Sequence, residues 1–218
     1  ADAGVDIDAS RRQRQQRWAQ IGQPTWKQGA VRDADRRGSA QDIDTGHGRN
    51  FGVVVHRLLE LCVRGQLAPN EASAVEAVAG AQLAQLGQSE HLLPRAVHAV
   101  TGWATSDLWE QVQASTQVHV EVPYARTSHL NQIPSVERGV IDLVFRTRQG
   151  WRLVDYKTQN LSTDQDGSPT QRSVAAMLDH YRAQLVAYTQ HWQQVAQEQR
   201  VTAGLWLTAH NLWLPLDP

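Results

Sequence analysis

The sequence predicts an α/β domain in which helices precede three β-strands, followed by one long helix and a closing strand pair. Three observations carry this. Apolar residues recur at helical spacing from Gly52 to Arg64, alternate at strand spacing from Thr116 to Arg126, and gather in two β-rich runs between Gly139 and Thr158. The 218 residues suffice for one domain with a sizeable core plus a tail, and no internal repeat is present.

Residues 1–50 are polar and rich in Arg, Gln, Asp and Gly, and read as a linker or tail ahead of a folded domain at 51–218. Arg11 to Arg17 has the composition of a short exposed helix, and Gly29 to Asn50 that of a linker. The arginines make this region locally basic; a solvated tether is the first reading and a DNA-tracking arm the second. The chain starts at Ala1 rather than at methionine, as expected of a piece of a longer protein.

Bulk properties exclude several classes. A net charge of −1 gives no global sign of nucleic-acid binding, so any such surface must come from local clustering. A single cysteine, Cys62, rules out an internal disulfide framework and fits the reducing cytoplasm. No apolar run is long enough for a membrane span, and the acidic start lacks a signal-peptide pattern.

From Gly52 to Arg64, Val54, Leu58, Leu61 and Cys62 form one helical stripe, with His56 inside it and Glu60 one turn on. Glu60 either orients the His56 imidazole or is an ordinary surface residue. An alanine-rich helix is expected from Pro69 to about Leu86, another from His91 to about Thr101, and a third from Asp107 to Ala114 capped by Ser106. Thr116 to Arg126 alternates so that Val118, Val120, Val122 and Tyr124 share a buried face and Glu121 the other. Ser128 to Ser135 reads as a loop. Gln159 to Arg172 is a long polar connection, either a flap or disordered. The final helix spans about Val174 to Gln199, with Tyr181, Gln184, Leu185 and Tyr188 near one face; strands at Val201–Ala209 and Leu212–Leu216 close the chain.

The chemistry concentrates between Gly139 and Thr158. Two β-rich runs flank a polar Arg148-Gln149-Gly150 turn, the pattern of a β-hairpin. Each run carries one carboxylate among residues that favour burial, Asp142 and Asp155, and Lys157 shares the strand face of Asp155. Ionised carboxylates amid Val, Ile, Leu and Phe are costly unless compensated. A structural ion pair is one compensation; a divalent cation shared by both aspartates is the other.

Four pieces in order resemble the RecB/AddA branch of the PD-(D/E)XK nuclease superfamily: Gly-Val-Val-Val-His56-Arg-Leu-Leu-Glu, Gly139-Val-Ile-Asp142-Leu, Asp155-Tyr-Lys157-Thr and Gln184-x-x-x-Tyr188. The resemblance implies an αβββαβ restriction-endonuclease-like core, with a central mixed sheet flanked by helices and extra N-terminal helices. It implies metal ligation by His56, Asp142, Asp155 and the Tyr156 carbonyl, with Lys157 holding the attacking water. The Val-x-Val-Glu121-x-Pro pattern adds Glu121 near the metal; Gln184 and Tyr188 are expected to face the active site and the DNA, and Tyr181 the DNA. The implied cofactor is Mg2+ or Mn2+, and the implied partner is DNA, a single strand delivered by a helicase in the same chain or complex. One cysteine excludes the four-cysteine iron–sulfur staple of some relatives. A non-catalytic nucleic-acid-binding or scaffolding domain and a stand-alone nuclease are the alternatives. No Gly-x-x-x-x-Gly-Lys-Ser/Thr run for ATP is present.

A shared cation sets a parity condition. Opposed residues of an antiparallel pair point to one face, and a slip of one residue reverses this. Asp142 and Asp155 therefore need an even hairpin loop, either Arg148-Gln149 closed by Thr147 and Gly150, or four residues closed by Arg146 and Trp151. A three-residue loop would split the carboxylates between faces.

Overall fold

The computed structural model describes residues 27–30, 48–130 and 133–216. The expected helix at Arg11–Arg17, and most of the stretch read as a linker, lie outside them.

The elements run β1 (Lys27–Ala30), α1 (Arg49–Val63), α2 (Ala72–Gln85), a 3-10 turn (Glu90–Leu92), α3 (Leu93–Ala104), α4 (Asp107–Gln113), β2 (Val118–Leu130), β3 (Ile133–Thr147), β4 (Gly150–Lys157), α5 (Gln171–Ala196), β5 (Val201–Leu207) and β6 (Leu212–Pro215). All six strands join one mixed sheet: β2 and β4 pair antiparallel with β3 and β6 antiparallel with β5, while β1 runs parallel to β3 and β5 parallel to β4. This is the expected αβββαβ arrangement with added helices.

Two apolar layers sandwich the sheet. The stripe Val54, Val55, Leu58, Leu59 and Cys62 of α1 packs with α2–α4 and with Leu143, Phe145, Val154 and Tyr156 on one face. On the other, Tyr181, Leu185, Tyr188 and Trp192 of α5 cover Val144, Leu153, Ala203 and Leu205. The alternation of Leu143, Val144 and Phe145 between these layers is the period of two that a strand buried on both sides requires. Among the described residues no helix is long and apolar enough to cross a membrane.

The central hairpin turns through Arg148-Gln149, with Thr147 opposite Gly150. Gly150 has φ +126°, a conformation open essentially to glycine alone, and the Thr147 hydroxyl closes the turn by donating to the Gly150 carbonyl at 2.9 Å. The even loop is therefore the one formed. Carried one residue past the last ladder pair, Leu143 opposite Val154, this register sets Asp142 across from Asp155.

Three sequence expectations change. Within the expected Ser128–Ser135 loop, residues 128–130 and 133–135 are strand: β2 and β3 stay paired out to Leu130 opposite Ile133. Backbone pairing there overrides a polar composition that names no particular structure. The alanine-rich helix begins at Ala72 rather than Pro69. Finally, Val118 and Val120 pack against the α1 side, but Val122 and Tyr124 against the α5 side. Glu121 sits between them at φ +52°, in the left-handed region, and turns the strand over.

β3 uses one of its edges twice. β2 occupies the other edge, so β1 (opposite Ser135 to Arg138) and β4 (opposite Leu143 to Thr147) share the remaining one. Between them, from Gly139 to Asp142, that edge has no strand neighbour among the described residues. The functional groups converge there.

Candidate metal centre

Asp142 stands where β3 and β4 part, with 2% of its surface exposed. Its Oδ2 accepts the Tyr156 N–H at 2.8 Å, replacing the strand hydrogen bond that the fork removes. Its Oδ1 lies 3.3 Å from His56 Nδ1. The stripe of α1 that buries Val55 and Leu59 brings His56 to this position, and its Nε2 meets the Tyr156 carbonyl at 3.0 Å. Both ring nitrogens are thus oriented from the sheet. Burial pushes the imidazole pKa down, but the charge and hydrogen bond of Asp142, with a contribution from Asp155, outweigh it and raise the value. A cation at Nδ1 would take the place of that proton.

Glu121 completes the group. Donor atoms of His56, Glu121 and Asp142 lie within 4.8 Å of one another, and the three side chains range from half-buried to buried. One imidazole nitrogen and two carboxylates form a hard, mixed N/O donor set that a divalent cation of the magnesium–manganese type fits. By strand register Glu121 falls opposite Asp142, and its left-handed backbone spoils the ladder at that pair while Val120 and Val122 keep theirs. Backbone strain at a ligand position is a common companion of function.

Asp155 lies beside this triad rather than in it. Its Oδ2 is 2.9 Å from Lys157 Nζ, and its Oδ1 accepts from Gln184 Nε2 at 2.9 Å. Burial raises the Asp155 pKa; the Lys157 ammonium opposes this and Asp142 adds to it. The Lys157 ammonium also sits 4.0 Å over the Tyr181 ring.

Gln184, Tyr188 and Tyr181 are placed by α5 but face inward. Gln184 is 7% exposed and Tyr188 fully buried. Gln184 Nε2 donates to both Asp155 and the Tyr188 hydroxyl, which in turn donates to the Val140 carbonyl at 3.0 Å. That carbonyl belongs to the unpaired edge of β3, so Tyr188 satisfies what a neighbouring strand would have satisfied. The Tyr181 hydroxyl meets the Gln159 side chain at 2.9 Å. These three therefore steady Asp155, Lys157 and β3 from within the protein.

Glu60 resolves to the surface reading: it pairs with Arg57 at 2.6 Å and Arg64 at 2.8 Å, away from His56. The Gln159–Arg172 connection is pinned at both ends. Leu161 N–H donates to His210 Nε2 at 2.9 Å, and Thr170 N–H to the Ser162 carbonyl at 2.9 Å. Sequence reasoning gave Tyr124 no role beyond the core. Its ring lies over Gly139, where a Cβ would come within 2.4 Å, and packs edge-on to Tyr188 with centroids 5.2 Å apart. A glycine inside a strand run was the available signal.

The chain matches the family model described as the PD-(D/E)XK nuclease superfamily over residues 29–212, a match that begins within the stretch read as a linker. It is 25% identical over 96 residues to the A subunit of an ATP-dependent helicase/nuclease from Staphylococcus saprophyticus subsp. saprophyticus, covering 38% of this chain; it spans 8% of that protein's length. The crystal structure of SSO0001 is similar at TM-score 0.34 and 12% identity over 87% of this chain and 66% of that one, too distant to bear on function. Sheet topology and family match agree, and the chain belongs to the PD-(D/E)XK nuclease superfamily.

Proposed function

We propose that this chain is a Mg2+- or Mn2+-dependent DNA nuclease domain that hydrolyses phosphodiester bonds with little sequence preference. The observation that carries the reading is the convergence of His56, Glu121 and Asp142 donor atoms beside the Asp155–Lys157 pair at the fork of the sheet. A divalent cation, when bound, supplies a Lewis acid that lowers the pKa of water and offsets charge on the phosphoryl oxygens. His56, Glu121 and Asp142 would hold it, with the Asp155–Lys157 pair beside them. Lys157 orients the attacking water and stabilises developing negative charge. Gln184 and Tyr188 keep Asp155 and β3 in place.

The helicase/nuclease relative and the four motifs favour a finer reading: the C-terminal part of a RecB/AddA-type helicase-nuclease, cytoplasmic and active in DNA repair or recombination. In it, residues ahead of β1 connect a motor to the nuclease domain, whose sheet includes Lys27–Ala30, and the strand is cut from an end as the motor delivers it. The test is cleavage of end-labelled single- and double-stranded DNA with Mg2+, Mn2+ or EDTA, alongside Asp155→Asn. We expect metal-dependent cutting by the wild type and none by the folded variant. DNA bound but uncut with both metals would instead mark a scaffolding domain, and an active Asp155→Asn would overturn the site.

A further inference from the structure

A cavity opens beside Lys157, on the side of the sheet covered by α1 and α3. It has a volume of about 220 Å³, and Phe51, Arg95, His98, Thr158, Asn160 and Thr208 are among its lining residues. Phe51 lies five residues before His56 on α1, a rise of about 7.5 Å. Thr158 directly follows Lys157. The cavity is therefore anchored to the same two elements that supply the metal centre, yet its chemistry is the opposite. Among the described residues no carboxylate lines it, and the charged group there is the Arg95 guanidinium, held with Cζ 5.1 Å over the face of Phe51.

Its most informative group is Thr158. This residue lines the cavity while only 8% exposed; its hydroxyl has no hydrogen-bond partner among the described residues and is open to the cavity rather than sealed from solvent. Thr208, 2% exposed, donates its own hydroxyl to the Lys157 carbonyl at 3.2 Å and so fixes the wall between cavity and catalytic lysine. A guanidinium, an imidazole, a side-chain amide and a hydroxyl line one otherwise apolar space, a set of donors that phosphate oxygens can use.

We propose that this cavity is a phosphate subsite, holding a phosphate of the DNA strand next to the one at the metal centre. Arg95 supplies the charge, Thr158 a short hydroxyl contact, and His98 and Asn160 the outer donors. The subsite rests on the nuclease reading for its substrate, and sets where along the strand the scissile phosphate falls.

The experiment measures binding of fluorescently labelled oligonucleotides by anisotropy across a salt series, in an Asp155→Asn background so that cleavage plays no part. Arg95→Gln and Thr158→Val are compared with that background, their folding checked by thermal melts. Removing the Arg95 charge from a bound phosphate weakens binding by about tenfold and lowers the slope of log Kd against log salt by about one. Thr158→Val, close in shape, weakens binding by about threefold to tenfold with the slope unchanged. A single-stranded circle, a 5′-phosphorylated strand and a 5′-hydroxyl strand distinguish the source. A defect on all three assigns an internal phosphodiester; one confined to the phosphorylated strand assigns a terminal phosphate. Unchanged Kd and slope in both folded variants overturns the subsite, whatever the wild type's activity. Failure of the wild type to cut any DNA overturns the nuclease reading while these binding measurements still decide the pocket. If the background protein binds no DNA, both fall together.

Discussion

Tyr188→Phe removes one oxygen atom from the centre of the molecule, and the structure sets what that costs. The ring stays packed against Tyr124 and Leu185, so no cavity larger than the hydroxyl is left. Gln184 Nε2 keeps its bond to Asp155 Oδ1, so that donor is not stranded. The loss falls on the Val140 carbonyl, on the stretch of β3 edge that lies between β1 and β4. A shielded acceptor left without its donor costs about 1–3 kcal/mol, with the lower half applying to a partly buried group. At about 1–2 kcal/mol, and roughly 2–4 °C per kcal/mol for a chain of this size, the melting temperature should fall by about 2–8 °C. Differential scanning calorimetry or urea melts monitored by circular dichroism would read this directly. A Tyr188→Phe protein as stable as the wild type within about 0.5 kcal/mol would refute the idea that Tyr188 stands in for a missing strand neighbour.

Two further outcomes are expected. Glu121→Gly removes a left-handed non-glycine residue costing about 1–3 kcal/mol, against an entropic cost of about 0.4–1 kcal/mol for the added glycine. The variant should therefore melt at or above the wild-type temperature while binding Mn2+ more weakly by isothermal titration; unchanged affinity would remove Glu121 from the donor set. Cys62 lies on the buried face of α1 and its thiol pKa is pushed up to about 12 by burial, so iodoacetamide at about pH 8 should label it only on unfolding. Rapid labelling of the native protein would contradict the packing of that layer.

The parts of the site readable from sequence were those governed by period and parity. Asp142, Asp155 and Lys157 sit in one hairpin, and a two-residue loop with a glycine after it fixes their mutual register. His56 and its helix followed from an apolar stripe. What escaped were features decided by distant segments. The polar residues 27–30 become β1 only through backbone bonds to β3, which no side-chain pattern announces. The strand reversal at Glu121 breaks the alternation that would reveal it. Gln184 carries no mark of pointing at Asp155, because a helix face shows which residues are buried and not what they bond to. Glu60, one turn from His56, had the right spacing and the wrong neighbours: two arginines on its own helix claimed it first.

The site is held from both sides of the sheet. His56 arrives with the α1 layer, Gln184 with the α5 layer, and the aspartates they touch are carried by the strands between. Neither layer alone presents a working constellation, since one lacks the imidazole and the other the support of Asp155. On the proposed nuclease reading, a chain with only one layer docked has no competent centre, so catalytic competence is tied to assembly of the whole domain.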